Sequence, residues 1–427
     1  MKLKLDFHRK SFFFLAVAFI FYGCTNLPKI KMYYSDKDVV GQPYKKSDHI
    51  NMDVYIDATT SMEGFAVNAS SQYSQFLDQV EASGLYAWKN ANIKYFKFGT
   101  KIKPIDRTEF LSAKNTQQFY REKGIFEDTY IDSVVKNTDP GRLSVLITDL
   151  FQTDGDVNTM VDKIKQKCFA NNVAVGIIGI KTNFDGWVYD VPGIKPYKLK
   201  TTDRPFYAVV FGNNNNLSAF FEALETRPFV NPNQEIIVSR YIIQSFSESL
   251  TKTRDSRYVN KKASTSGLPY VFDFSMKKDG KDAKFNFTVD LKRRKRSPDF
   301  LVDHLSLVTY KKSLTNSKVM QKDSVLTNDF KIDSIERKGD KITGVISLHN
   351  EDGSGNYSYI LYLEANPLNG LESPKWINDF STESPVPNSP SAAKTFNLDK
   401  LVNMLMIANA SISPTYVAKF YINIYKR

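Results

Sequence analysis

Between residues 49 and 228, short apolar runs alternate with segments whose apolar residues recur at helical spacing. The runs typical of buried strands are residues 52–56, 93–98, 143–148, 173–180 and 206–211. Helical spacing is found at Tyr73, Phe76, Leu77 and Val80, at Val157, Met160, Val161 and Ile164, and at Leu217, Phe220, Phe221 and Leu224. Strands that alternate with helices predict an α/β domain with a doubly wound, mostly parallel sheet. Ligands of such sheets bind at the carboxyl ends of the strands.

After about residue 229 the pattern changes, and apolar residues alternate with polar ones. Phe285, Phe287, Val289 and Leu291 are each separated by one polar residue, and similar stretches follow later in the chain. This period of two is typical of half-buried antiparallel strands. We therefore expect residues 229–427 to form a β-rich, sandwich-like domain.

The first 23 residues have the pattern of an export signal. Basic residues precede an apolar run at 11–21, which is shorter than the roughly 20 residues that a membrane-spanning helix needs. Cys24 follows Gly23, and this arrangement resembles the lipobox of bacterial lipoproteins, in which the cysteine is acylated. The resemblance implies a signal peptide at 1–23 and a lipid on Cys24 that anchors the chain in the cell membrane or the outer membrane. Residues 24–48 are then a tether to the first domain.

Charge and cysteine content narrow the classes of function. The formal charge is +12 at pH 7, but lysine and arginine are spread along the whole chain, as on a solvated basic surface. The sharpest basic run, at 292–296, is expected to be a solvated turn or, alternatively, a contact for anionic lipid; nucleic acid is not an expected partner. If Cys24 is acylated, Cys168 has no partner for an internal disulfide. The four histidines are scattered, which disfavours a zinc site.

Candidate metal ligands follow the first predicted strand. Asp57, Thr59 and Ser61 place one carboxylate and two hydroxyls at every second position after the apolar run 52–56. Extended backbone repeats with a period of two, and a tight loop can turn three such oxygens toward one point. Hard oxygen ligands suit Mg²⁺ or a similar cation.

With Thr129 and Asp149, this segment resembles the von Willebrand factor type A (vWA) family. Thr129 precedes a short helical segment, and Asp149 ends the buried run 143–148. In that family a D-x-[ST]-x-S loop, a separate threonine and a later aspartate form the metal-ion-dependent adhesion site (MIDAS) on a vWA/Rossmann-like sheet. The resemblance covers residues 49–228 and implies a site for Mg²⁺, or for Mn²⁺ or Ca²⁺. The five ligands that it implies are Asp57, Thr59, Ser61, Thr129 and Asp149.

Two alternatives accompany this assignment. Thr138 lies in the same region as Thr129 and could take its place, and Leu150 stands where the family often has glycine. A loop that is closed by its own hydrogen bonds and holds no metal is the alternative to a working site.

The resemblance also implies a function. A metal held in this way can complete its shell with an acidic side chain of a partner protein, so we expect an exported, lipid-anchored, non-catalytic binding protein. A structural subunit of an envelope or secretion assembly is one alternative. An envelope enzyme with its site in the C-terminal half is another, although no histidine or cysteine cluster in that half favours it.

Overall fold

The computed structural model describes residues 45–150, 157–189, 195–227, 230–262, 271–314 and 325–427. The predicted signal peptide, Cys24 and most of the tether lie outside these ranges. Among the helices of the described ranges, none has the length and apolar content needed to span a membrane.

Strands outnumber helices in the described residues. The helices are α1 (Gln72–Ala87), α2 (Arg107–Ser112), α3 (Ile131–Val135), α4 (Val157–Lys167), α5 (Asn214–Glu225), α6 (Lys375–Phe380) and α7 (Leu398–Ile412). The strands are β1 (Ile50–Asp57), β2 (Ala91–Phe98), β3 (Ile102–Ile105), β4 (Arg142–Thr148), β5 (Ala174–Val188), β6 (Tyr197–Gly212), β7 (Glu235–Val238), β8 (Ile243–Lys252), β9 (Val259–Lys261), β10 (Val271–Met276), β11 (Asp282–Arg293), β12 (Asp299–Phe300), β13 (Leu305–Leu314), β14 (Val325–Thr327), β15 (Phe330–Lys338), β16 (Lys341–His349), β17 (Gly355–Ala365), β18 (Leu371–Glu372), β19 (Ser381–Thr382), β20 (Thr395–Phe396) and β21 (Thr415–Lys426).

The first sheet has seven strands in the order β3-β2-β1-β4-β6-β5-β7. Strands β2 and β4 both run parallel to β1, but β3, β6, β5 and β7 join through antiparallel pairs. The prediction of a mostly parallel sheet is therefore wrong, and the protein is mixed α/β with a mixed sheet. The reason is the connection between Val188 and Tyr197, which is shorter than the dozen or more residues that a parallel crossover needs. The chain returns as a hairpin, and β6 lies between β4 and β5.

Helices cover both faces of this sheet. Side chains from α1 and α5 share one apolar cluster with inward-facing residues of β1 and β4. Side chains from α3, α4, α6 and α7 form a second cluster on the other face. Because both faces are covered, every residue of β1 except Asn51 and every residue of β4 except Arg142 is buried.

The C-terminal half contributes to the second cluster. Trp376 and Phe380 of α6 are buried there, and the Phe380 ring lies 6.5 Å from the ring of Tyr207 on β6. Cys168 is buried in the same cluster. The domain boundary between residues 228 and 229 stays a prediction. Helices α6 and α7, which follow it in the chain, nevertheless contribute to the apolar cluster on one face of the first sheet.

Most remaining strands form two further sheets around one core. A six-stranded sheet has the order β14-β13-β17-β21-β10-β9, and a four-stranded sheet has the order β15-β16-β11-β8. Alternate residues of β11, namely Phe285, Phe287, Val289 and Leu291, point into a cluster shared with β17 and β21. The prediction of a β-rich C-terminal region is confirmed.

The basic run at 292–296 ends in a turn, as predicted, and Lys292 and Lys295 are exposed, but Arg296 is not solvated. The Arg296 side chain is 1% exposed and forms ion pairs with Glu225 at the end of α5 and with Glu235 on β7. Lys295 also pairs with Glu225, at 2.6 Å. We call Glu225, Glu235, Lys295 and Arg296 the clamp, because they join the turn after β11 to the first sheet. These internal pairs weaken the case for lipid binding by this run.

Candidate metal centre

The candidate site begins where β1 ends. Because β1 runs parallel to both β2 and β4, the carboxyl ends of these three strands meet at one edge of the sheet, which we call the carboxyl rim. Asp57 is the last residue of β1, and the next residue, Ala58, still donates its N–H to the Phe98 carbonyl at 2.8 Å. The chain then turns into a short 3₁₀ helix, Thr60–Phe65, whose Met62 and Phe65 are buried.

The carboxylate of Asp57 is fully buried and accepts three hydrogen bonds. Its Oδ1 accepts from the Thr59 N–H at 3.1 Å and from the Thr59 hydroxyl at 2.7 Å. Its Oδ2 accepts from the hydroxyl of Thr148, the last residue of β4, at 2.9 Å. These bonds fix the carboxylate between the ends of two neighbouring strands.

A row of hydroxyls lies beside this carboxylate. The Thr129 hydroxyl donates to Thr59 Oγ1 at 3.2 Å, and Thr59 Oγ1 lies 3.2 Å from Ser61 Oγ. Thr138 points elsewhere, since its hydroxyl donates to the Val135 carbonyl at 2.9 Å. The structure therefore brings Thr129, rather than Thr138, to the loop that follows β1.

Gly99, which directly follows β2 and belongs to no motif in the sequence, makes this arrangement sterically possible. A Cβ atom on Gly99 would lie 1.9 Å from the Ile125 carbonyl oxygen and 3.0 Å from the Thr59 methyl group. The same Ile125 carbonyl accepts from the Thr100 N–H at 3.0 Å, and the Gly99 carbonyl accepts from the Tyr130 N–H at 3.3 Å. The segment that carries Thr129 is thus held directly against the end of β2.

Asp149 follows β4 at the same rim and is buried. Its charge raises the pKa of Asp57, so the two carboxylates are electrostatic neighbours. The next residue, Leu150, has a φ of 65°, and its N–H donates to the Thr148 hydroxyl at 3.1 Å. A leucine rarely adopts this left-handed conformation, which explains why glycine is common at the corresponding position of the family it resembles.

Burial dominates the electrostatics of the rim. Removal from water, together with the charge of Asp149, raises the pKa of Asp57 to about 7, although the hydroxyls of Thr59 and Thr148 act in the opposite direction. The nearby hydroxyls of Tyr73 and Tyr120 lie 2.8 Å apart, and burial raises the pKa of both. In the part of the chain that the structure describes, the hydrogen-bond donors to Asp57 are uncharged.

The hairpin of β5 and β6 forms a wall next to the loop. Thr148, the last residue of β4, pairs with Tyr207 of β6, and Tyr207 pairs with Gly179 of β5. Residues 180–188 of β5 therefore extend beyond the carboxyl rim. The outer part of the hairpin packs on the 3₁₀ helix, where a Cβ atom on Gly186 would lie 2.6 Å from the Gly64 Cα. Sequence reasoning placed the end of this strand at Ile180, although Phe184 and Val188 keep the alternation that a longer strand requires.

The outer face of this wall carries an exposed aromatic side chain. Trp187 is 51% exposed, although an isolated tryptophan is on average a highly buried residue. It pairs across the hairpin with Lys198, and the neighbouring pair is Asp185 with Lys200. A tryptophan and two lysines are thus presented to solvent beside the candidate site.

The donor set fits a hard divalent cation. In the described ranges, no group of three or more histidine, cysteine, aspartate or glutamate side chains is placed to hold a metal ion. The rim instead combines two aspartates with the hydroxyls of Thr59, Ser61 and Thr129, all buried. Carboxylate and hydroxyl oxygens are ligands that Mg²⁺, Mn²⁺ and Ca²⁺ accept.

Comparisons with known proteins add no family assignment. No protein-family model matches this sequence, and no curated protein matches it. The assignment of ligands at the carboxyl rim therefore depends on the motif residues and on the contacts described above.

Proposed function

We propose that this chain is an exported, lipid-anchored protein that binds a divalent cation at the carboxyl rim and uses it to hold an acidic side chain of a partner protein. The proposed ligands are Asp57, Thr59, Ser61, Thr129 and Asp149. The bound cation would supply positive charge and a coordination position that a carboxylate can fill. No catalytic step is part of the proposal.

The burial of the Asp57 carboxylate among uncharged hydrogen-bond donors is the single observation that supports cation binding most strongly. A buried carboxylate is costly unless a positive charge compensates it, and otherwise it takes up a proton. Burial and Asp149 raise the pKa of Asp57 to about 7, and its described contacts are hydroxyl and amide groups. A divalent cation would compensate the charge of Asp57.

The order of the strands supports a vWA-like arrangement for this region. Three neighbouring parallel strands carry the candidate ligands or hold their loops, β3 is an antiparallel edge, and helices cover both faces. The hairpin of β5 and β6 departs from a doubly wound sheet. We propose that the chain keeps the adhesion-site half of the fold and varies the other half.

Two observations bear on the partner. The resemblance to the vWA family implies an acidic residue in the partner, and the hairpin presents Lys198 and Lys200 next to Trp187. The two lysines share one acidic neighbour, Asp185, at 4.0 and 3.5 Å, which leaves this surface with an excess of positive charge. Tryptophan is common where binding energy is concentrated, and lysines attract acidic surfaces over a distance. An acidic protein segment would therefore find both the cation and a basic surface on this side of the sheet.

The catalytic alternative would need a site in the C-terminal region, where the described residues line a sizeable cavity. A cavity of about 670 Å³ is lined there by residues that include Lys311, Asp352 and Tyr357. Lys311 forms ion pairs with Asp329, at 2.8 Å, and with Asp352. Both carboxylates are thus engaged by the same lysine, and the arrangement has the form of a structural network.

Calorimetry with Mg²⁺ and with Mn²⁺ tests whether the carboxyl rim binds a divalent cation. We expect one site per chain, and we expect Asp57→Ala to abolish it. Asp203→Ala, which removes an exposed carboxylate from the hairpin, is the matched control and should bind as the parent chain does. Absence of binding by the parent chain, or unchanged binding by Asp57→Ala, would refute the site.

Affinity capture tests the partner half. Partners retained from solubilised envelopes in Mg²⁺ should elute with chelator and should be missing from the Asp57→Ala sample. Retention that ignores both chelator and Asp57→Ala would show that the partner binds by another route.

A further inference from the structure

The chain enters the first sheet at the rim opposite the candidate site. Ile50 begins β1 and Asp57 ends it, so the two rims are about 25 Å apart at the usual rise of a strand. The residues before β1 are fixed against the end of α1. Lys46 Nζ donates to the Ala87 carbonyl at 2.6 Å, and the Trp88 indole N–H donates to the Ser47 carbonyl at 2.9 Å.

This rim has an exposed apolar pair surrounded by lysines. Tyr86 is 72% exposed and Leu85 is 46% exposed, both at the end of α1. Lys45, Lys46 and Lys89 are exposed next to them. We call these five residues the amino-rim patch. Within the described ranges none of its three lysines forms an ion pair with an acidic side chain, in contrast to the basic residues of the clamp.

We propose that the amino-rim patch rests on the surface of an anionic membrane, so that the candidate metal site faces away from it. This inference depends on the lipid anchor of the proposed function. Tyrosine is favoured at the level of lipid headgroups, and lysine stems can lie along apolar surface while their charges reach anionic lipid.

The position of the anchor supports a lipid surface as the occupant. Only 20 residues separate Cys24 from Lys45, and they can span at most about 70 Å. Since the chain enters the sheet at this rim, a lipid on Cys24 would keep the amino-rim patch within this distance of the membrane and closer to the anchor along the chain than the carboxyl rim is.

Fluorescence quenching in vesicles tests this orientation. The full acylated chain would carry bimane at Asn90→Cys, beside the amino-rim patch, or at Trp187→Cys, on the hairpin beyond the carboxyl rim. Cys168 is buried, so it should not react with the label. The vesicles would contain phosphatidylglycerol and phosphatidylethanolamine, with a nitroxide on some headgroups.

We expect the label at position 90 to be quenched at least threefold more than the label at position 187. The double substitution Leu85→Ser and Tyr86→Ser, which removes the exposed apolar pair, should reduce quenching at position 90 at least twofold. Equal quenching of the two labels, stronger quenching at position 187, or no effect of the double exchange would overturn the proposed orientation.

Flotation with the same vesicles separates this inference from the anchor itself. The parent chain should float and Cys24→Ser should remain in solution. If the two float equally, the anchor is refuted. If the parent chain floats through Cys24 but position 90 is not quenched, only the amino-rim patch is refuted.

Discussion

The carboxyl rim and the clamp each hold two neighbouring acidic side chains, but they compensate the charge differently. In the clamp, Glu225 and Glu235 pair with Arg296, and Lys295 adds a second positive charge. At the rim, Asp57 lies near Asp149 and accepts hydrogen bonds from Thr59 and Thr148. In the first case the chain supplies its own cations, whereas the described hydrogen-bond donors to Asp57 are a backbone amide and two neutral hydroxyls.

This difference separates a structural cluster from a candidate binding site. A buried carboxylate with a permanent guanidinium partner has little need of an external ion. A buried carboxylate with hydroxyl partners changes its charge with pH or with cation concentration. Burial raises the pKa of Glu235 to about 8 as it raises that of Asp57 to about 7, so the two clusters should differ in their response to removal of charge and to metal rather than in the direction of their pH response.

Removal of the arginine from the clamp should have the largest effect. Arg296→Met keeps most of the side-chain volume but leaves Glu235 buried without its partner, which should lower the free energy of unfolding by about 3 to 5 kcal/mol. Urea denaturation would measure it. Lys295→Met is the matched control, because that side chain is 60% exposed and its loss should cost about 1 kcal/mol or less. Equal effects of the two changes would show that burial of the pair is unimportant.

Removal of charge at the rim should act in the opposite direction. In chelator at pH 8, Asp57→Asn should not lower the free energy of unfolding and could raise it by up to about 3 kcal/mol. The reason is that folding of the variant no longer buries an uncompensated charge. The same change should abolish the stabilisation that Mg²⁺ gives the parent chain. Thermal unfolding with and without Mg²⁺ measures both effects. A strongly destabilised Asp57→Asn in chelator would indicate that the carboxylate is structural, as in the clamp.

The raised pKa of Asp57 predicts how metal affinity depends on pH. Between its ordinary value and about 7, the folded chain holds a proton that the unfolded chain releases, so without metal the stability falls as pH rises through this window. A cation must displace that proton. Affinity for Mg²⁺ should therefore rise about tenfold per pH unit up to about pH 7 and then level off. Calorimetric titrations from pH 5 to 8 that show a constant affinity would contradict this account.

Loss of one neutral ligand should have the smallest effect. Thr129→Val removes the hydroxyl that donates to Thr59 and should weaken Mg²⁺ binding about tenfold, equivalent to about 1.4 kcal/mol. Thr138→Val removes a hydroxyl that bonds the Val135 carbonyl and should leave the affinity unchanged. If Thr138→Val had the larger effect, the assignment of the separate threonine would be wrong.

Local periodicity was enough to predict several elements. The spacing of Asp57, Thr59 and Ser61 after an apolar run located the loop, and the alternation around Phe285 located a sandwich strand. Each of these signals lies within a few residues of chain. The residues between 398 and 408 likewise predict a helix, and α7 forms there but extends to Ile412.

Other features depend on partners that are distant in the sequence. Gly99 is required by the Ile125 carbonyl, and Arg296 is buried by Glu225 and Glu235. The antiparallel position of β6 follows from a short connection whose ends gave no strong strand signal. The local sequence cannot show these contacts, because the residues next to Arg296 do not indicate whether its side chain is buried or exposed to solvent.

The most direct test of the central claim is a crystal structure with Mn²⁺ and its anomalous difference map. We predict one strong peak at the carboxyl rim, about 2.2 Å from at least one of the carboxylates of Asp57 and Asp149 and from at least one of the hydroxyls of Thr59, Ser61 and Thr129. A map without a peak at the rim at saturating Mn²⁺, with the hydroxyls still bonded to Asp57, would contradict the account.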